Sequence, residues 1–270
     1  MAPDSSGRPS WESLNVRLLM VGDVVGKPGR RAVRALLPAL RDEYWIDYVV
    51  ANGENSAGGF GITLETATEL FDSGVDVVTT GNHVWDQKEI VPHLDQEIPL
   101  LRPMNYPVGV PGRGYTTVRD LTVVNLMGRV FMATLECPFR TMDAFLQKPN
   151  AKRPRVIAVD FHAEASSEKQ AIGWYLDGRV SVVVGTHTHV PTADARILPK
   201  GTAFVTDLGM VGPLNSIIGN DPAPVMERFL TMMPRRLTVP SGPVSFNSVL
   251  VEIGQDGRAT SIERLDRVVE

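Results

Sequence analysis

A chain of 270 residues with 43% hydrophobic and 21% charged residues can bury a large core and is too apolar to belong with disordered sequences. Its net charge of -4 excludes bulk attraction to nucleic acid or an anionic membrane, so a phosphate-bearing ligand has to be drawn in locally. A single cysteine, Cys137, excludes an internal disulfide, a thiolate metal cluster and a CxxC redox pair. With no uninterrupted apolar run of about 18 residues and a polar, Pro/Ser-rich start, the chain reads as cytoplasmic. Residues 1–15 are expected to be a disordered extension and 16–270 one domain.

Apolar, β-branched runs then alternate with helical patterns. VRLLMVG (16–22) reads as a strand, RRAVRALLPALRDEY (30–44) as a helix and IDYVVAN (46–52) as the next strand. ITLETATELFDSG (62–74) reads as a helix capped by Thr63 and stopped by Gly74, leading into the strand VDVVTTG (75–81). The stretch 115–135 breaks into short strand-like pieces, as in antiparallel pairing at a sheet edge. A strand at RVIAVDFH (155–162), a helix at 166–178 and a strand at RVSVVVGTHTH (179–189) restore the rhythm, and hairpin-like segments follow at 196–209 and 245–265, with a helix near 223–232. The class is α/β, with strands apolar on both faces because helices cover the sheet.

The chemically expensive residues cluster just after these strands: Asp23, then Glu54 and Asn55, Asn82 and His83, His162, and His187 with His189. In α/β sheets ligands bind outside the carboxyl ends of strands, so five separate segments deliver side chains to one crevice. Of five histidines only His93 falls elsewhere. Imidazoles and carboxylates without thiolates suit Mn, Fe or Zn. Two carboxylates and a bridging hydroxide, -3 in total, set against two divalent ions leave about +1 to attract a phosphate ester. His187 and His189, two apart, share a face if the segment is extended, so each can serve one ion of a pair. The competing readings are bland: a surface turn for HxH, a flexible polar loop for ANGENSAGGFG.

Order and spacing carry a resemblance. GD at 22–23, GNH at 81–83, the lone His162 and GTHTH at 185–189 resemble the calcineurin-like metallophosphoesterases. Where members typically carry GDxH and GDxxD, this chain has GDVV and GENS, placing Val25 at a usual ligand histidine and Glu54 at the bridging Asp. Those departures match the YmdB-like branch, in which Asn55 would replace the missing histidine. The resemblance runs from about residue 17 to the end. It implies a four-layer αββα sandwich of two mixed sheets flanked by helices. It also implies two divalent ions, Fe or Mn with Zn as a further option: one on Asp23, Glu54, Asn55 and His189, the other on Glu54, Asn82, His162 and His187. His83 would be the catalytic histidine that holds no metal. The implied reaction is hydrolysis of phosphodiesters, 2′,3′-cyclic nucleotides in particular, by a hydroxide bridging the ions, with some phosphomonoesterase activity. A homo-oligomer, dimer or tetramer, is implied; an RNA-related role is a separate expectation that the resemblance does not itself carry.

Asp160 and Asp207 are candidates to orient the histidines, whereas Asp86 reads better as a helix cap. GDVVGKPGR satisfies neither GxGxxG nor a P-loop. KRPR (152–155) and RR (235–236) read as solvated surface, and Cys137 as a small buried apolar residue. The reading from a different class is a non-catalytic nucleotide- or RNA-binding regulator built on the same metal site.

Overall fold

A computed structural model describes residues 15–148 and 154–270; the expected N-terminal extension (apart from residue 15) and part of the KRPR cluster lie outside the described residues. In chain order the elements are β1 (Val16–Val21), β2 (Asp23–Val24), α1 (Gly26–Tyr44), β3 (Tyr48–Asn52), α2 (Leu64–Asp72), β4 (Val77–Thr79), β5 (Tyr115–Val118) and β6 (Leu121–Met127). Then come α3 (Pro138–Gln147), β7 (Val156–His162), α4 (Ser166–Leu176), β8 (Val182–Thr186), β9 (Arg196–Ile197), β10 (Ala203–Val205) and β11 (Met210–Pro213). The chain closes with α5 (Pro222–Thr231), β12 (Val244–Phe246), β13 (Ser248–Ile253), β14 (Ala259–Arg264) and β15 (Arg267–Val269). A 3₁₀ helix occupies Lys88–His93.

Two mixed sheets face one another. One has the order β14-β13-β1-β3-β4, with β1, β3 and β4 parallel; the other runs β5-β6-β7-β8-β10-β9, with β6 to β10 parallel and an antiparallel strand at each edge. Side-chain alternation along a strand sorts the core into layers. From β1, Leu18 and Met20 join Tyr48, Val50, Ala158, Val182 and Val184 between the sheets. Leu19 and Val21 point the other way and pack with Val33 and Leu37 of α1 and Leu70 of α2. On the far sheet, Val159, Phe161 and Val183 turn outward onto Met142 of α3 and Ile172 of α4. These clusters give helices, sheet, sheet and helices in sequence, the expected sandwich.

Hydrogen bonding divides the strands into three sheets instead of the expected two. β15-β12-β11-β2 form a separate four-stranded ribbon that continues the first sheet past Gly22 and Asn247. Gly22 allows this bend, since a Cβ there would meet the Gly209 carbonyl oxygen at 2.1 Å.

Local signals hold where capping chemistry is explicit. Thr63 and Thr66 form a reciprocal capping box at α2, and Gly74, at φ +101°, follows its end. Other readings need correction. VFMATL (130–135) forms no strand; Phe131 sits at φ +62° and is 89% exposed. The helix α3 was not anticipated, and Cys137 stands at its N-cap, partly exposed instead of buried.

Candidate metal centre

The carboxyl ends of β3, β4, β7 and β8, together with β2, meet in one crevice and bring together all seven residues expected to hold metal. Asp23, Glu54, Asn55 and His162 are buried there, and His187, His189 and His83 stand at its open side. A cavity of about 210 Å³ in front of them is lined by Glu54, Asn55, His83, His187 and His189, with Phe60 at the rim. Gly81 makes the convergence possible: a Cβ at that position would lie 2.1 Å from the His162 ring and 2.4 Å from Glu54 Oε2.

The contacts fall into two groups that share Glu54. In the first, His162 Nε2 has Asn82 Oδ1 at 3.0 Å, His187 Nδ1 at 3.0 Å and Glu54 Oε1 at 3.1 Å. One ring nitrogen has a single proton or a single lone pair, so it cannot satisfy three such neighbours. Donor atoms of Glu54, His162 and His187 all lie within 4.8 Å of one another. In the second group, Asn55 Nδ2 lies 3.0 Å from His189 Nε2 and 3.5 Å from Glu54 Oε1, and His189 Nε2 lies 3.8 Å from Asp23 Oδ1. Turning the Asn55 amide over puts its oxygen in that place. Asp23 Oδ1 is buried without a hydrogen-bond partner, although its Oδ2 accepts from the His187 backbone at 3.1 Å. Lone pairs aimed at a common point, an orphaned carboxylate oxygen and an oversubscribed imidazole together fit a site for divalent cations.

Electrostatics agree. Burial alone would raise Glu54, but His162, by charge and hydrogen bond, holds it down at about 2. For His162 burial acts downward and is outweighed by Glu54, Asp23 and Asp160, which lift it to about 9. The proton on His162 therefore supplies, in the ion-free protein, the positive charge the carboxylates require. Desolvation raises Asp23 to about 6. Desolvation, reinforced by His162, lowers His187 to about 3, leaving it neutral and able to donate a lone pair.

Surrounding groups fix each ring. Thr186 Oγ1 donates to Asp160 Oδ1 at 2.7 Å and so accepts from His162 Nδ1 at 3.0 Å, leaving Nε2 directed into the site. Asp160 is held in turn by Thr79 and by Asn52, the latter at 3.1 Å. His189 Nδ1 donates to the Ile218 carbonyl at 2.8 Å. His187 Nε2 donates to Glu164 Oε2 at 3.0 Å. Asp160 thus orients a histidine through Thr186, whereas Asp207 touches none. It accepts from Thr188 Oγ1 at 2.7 Å and from Lys169 Nζ at 2.6 Å, bracing the turn between His187 and His189. Nor does Asp86 cap a helix: its Oδ2 lies 2.8 Å from His83 Nδ1. Asn52, Glu164 and Thr186 escaped the sequence reading, though each lies within two residues of a ligand candidate.

The chain has close counterparts in sequence and fold. A model of the family described as YmdB-like protein matches residues 19–265. The chain belongs to the YmdB-like family. A 2′,3′-cyclic-nucleotide 2′-phosphodiesterase of Bacillus subtilis (strain 168) is 48% identical over 255 residues, covering 93% of this chain and 96% of that protein. Among solved structures, a hypothetical protein from Thermus thermophilus superposes with TM-score 0.88 at 43% identity, covering 94% of this chain and 100% of that one. A novel phosphatase of Mycoplasma pneumoniae gives TM-score 0.88 at 32% identity, with 94% of each chain covered. The family's fold is therefore present over nearly the whole described chain. Among the described residues no helix is long and apolar enough to cross a membrane.

Proposed function

We propose that this family member hydrolyses phosphodiesters, with 2′,3′-cyclic nucleotides as the substrate class, at a centre of two divalent ions. The observation that carries this is the pair of donor groups sharing Glu54: Asp23, Asn55 and His189 on one side, Asn82, His162 and His187 on the other. Iron or manganese suits these oxygen and imidazole donors best, and zinc is compatible. When bound, the ions would acidify a water to serve as nucleophile and offset charge on the phosphoryl oxygens.

The protein's own groups do the rest. Glu54 and Asp23 bring compensating negative charge, and the fixed tautomers of His162, His187 and His189 preorganise the ligands. His83 stands at the rim with Nδ1 engaged by Asp86, so Nε2 is the atom available to pass a proton to the departing oxygen. Water adds to phosphorus, the P–O2′ bond breaks, and the 2′-oxygen takes the proton; the product is a nucleoside 3′-phosphate. Cytoplasmic placement, assembly into homodimers or homotetramers and an RNA-related role accord with the same family membership.

Purified protein reconstituted with Mn or Fe should bind close to two ions per chain and convert a 2′,3′-cyclic nucleotide to its 3′-phosphate. His83→Ala should keep the metal and lose about 10² to 10⁴ in kcat. Full turnover in that variant would remove His83 from the mechanism. Ligand binding without turnover across cyclic and linear diesters would instead favour the regulator.

A further inference from the structure

Among the titratable residues that line the cavity, Glu164 is the one that neither the ligand set nor the proton donor accounts for. It follows the end of β7 by two residues, is half-exposed, and lines the cavity with Oε2 3.0 Å from His187 Nε2. Orienting that imidazole needs only a hydrogen-bond acceptor, and an amide oxygen or a backbone carbonyl would serve, as Ile218 does for His189. A full negative charge on the wall of a site for anions is a different matter, because it repels what the site must bind.

Among the described residues, no lysine or arginine side chain faces it across the cavity. Lys169 lies behind the wall, buried against Asp207, and Arg228 lines an adjoining groove that shares Ile218 and Asn220 with the cavity. Sites built for dianionic phosphate ordinarily present an arginine fork or a lysine to it. A phosphomonoester carries close to two negative charges near neutral pH, its second pKa being about 6, whereas a phosphodiester carries one.

We infer that Glu164 selects substrate by charge, admitting monoanionic phosphodiesters in preference to dianionic phosphomonoesters and speeding departure of the monoester product. This rests on the phosphoester reading above and adds a discrimination to it. One extra unit of like charge roughly 6 Å away in a half-solvated site is worth about a tenfold change in binding. Hydrolysis of a diester creates that extra charge on the product, so the same carboxylate that tolerates substrate disfavours product.

The test compares wild type, Glu164→Gln and Glu164→Asp, each loaded with Mn, on bis(4-nitrophenyl) phosphate and 4-nitrophenyl phosphate. Glu164→Gln should raise the ratio of kcat/KM for monoester over diester about tenfold, chiefly through a lower monoester KM, and should tighten inorganic phosphate binding, measured by calorimetry, by a similar factor. Glu164→Asp should hold the ratio near that of wild type. Looser metal in Glu164→Gln would depress both esters together without moving the ratio, so an unchanged ratio overturns the charge-selection role. Should wild type turn over neither ester, the catalytic reading falls by itself. Calorimetric binding of phenyl phosphate against diphenyl phosphate then decides the matter: selective tightening of the former in Glu164→Gln sustains the role, and equal effects on both overturn it.

Discussion

His187 and His189 sit on backbone that L-residues avoid, at φ +100° and +65°. Such conformations cost about 1–3 kcal/mol and persist where the surroundings over-determine them, here through Glu164, Ile218 and the Asp207 brace on Thr188. His187→Gly and His187→Ala lose the same imidazole, so their difference isolates the backbone. The glycine variant should be the more stable of the two by about 1 kcal/mol in urea unfolding, with both deficient in metal. Equal midpoints would mean that position 187 is unstrained. The residue types of HxH were legible, but the conformation was not. Alternation assumes an extended segment, whereas β8 ends at Thr186 and a left-handed turn carries both rings to the site. A single methyl is decisive at Gly81. Gly81→Ala should displace His162 and Glu54 and lower metal stoichiometry measured by elemental analysis. Glu164 went unread because a carboxylate just ahead of a helix, here α4, is commonplace, and only its contact with His187 gives it a role.

At the scale of elements, the strands that reach the crevice were readable because burial on both faces leaves continuous apolar runs, as in VVVGT of β8. The ten-residue α3 was less visible: only Pro138 and Met142 are buried along it, although Pro138 at its start was an available signal. What sequence could not show is how elements brace one another behind the site. Lys169 of α4 and Asp207, just beyond β10, are 2% and 1% exposed and form an ion pair at 2.6 Å. Removing one partner leaves a buried uncompensated charge, a loss of about 3–5 kcal/mol. Lys169→Met and Asp207→Asn should each shift the urea midpoint strongly, and the double variant should lose less than their sum, with a coupling of roughly 1 kcal/mol or more. Strict additivity would show that the pair is not coupled. Because Asp207 also holds Thr188, Asp207→Asn and Lys169→Met should weaken metal binding along with stability.

For the molecule as a whole, the α/β class followed from alternation and the sandwich from resemblance, while the third sheet depended on a bend at Gly22 that no periodicity encodes. The same assembly sets a pH dependence that belongs to the entire fold, because protons and cations compete for the crevice between the layers. In the ion-free protein His162 is raised from 6.5 to about 9, so its contribution to stability is complete below pH 6.5 and disappears as pH rises through 9. Glu54 is lowered from 4.5 to about 2, so its contribution is complete above pH 4.5 and disappears as pH falls through 2. The ion-free protein therefore draws full stability from this pair only between about pH 4.5 and 6.5. Asp23, raised to about 6, opposes folding once ionised. Metal binding must expel the His162 proton and, below pH 6, one from Asp23 as well. Apparent Mn affinity should then rise at least tenfold per pH unit between pH 6 and 9, more steeply below 6, and the share of that rise due to His162 should end above 9. The thermal stability gained on adding Mn should widen over the same interval. Titration calorimetry in buffers of differing ionisation enthalpy counts the protons directly, and close to two protons released per chain at pH 7.5 are expected, one from His162 and one from the water the ions acidify. Release of only one would mean that His162 is already neutral before the ions arrive and that some other charge balances Glu54.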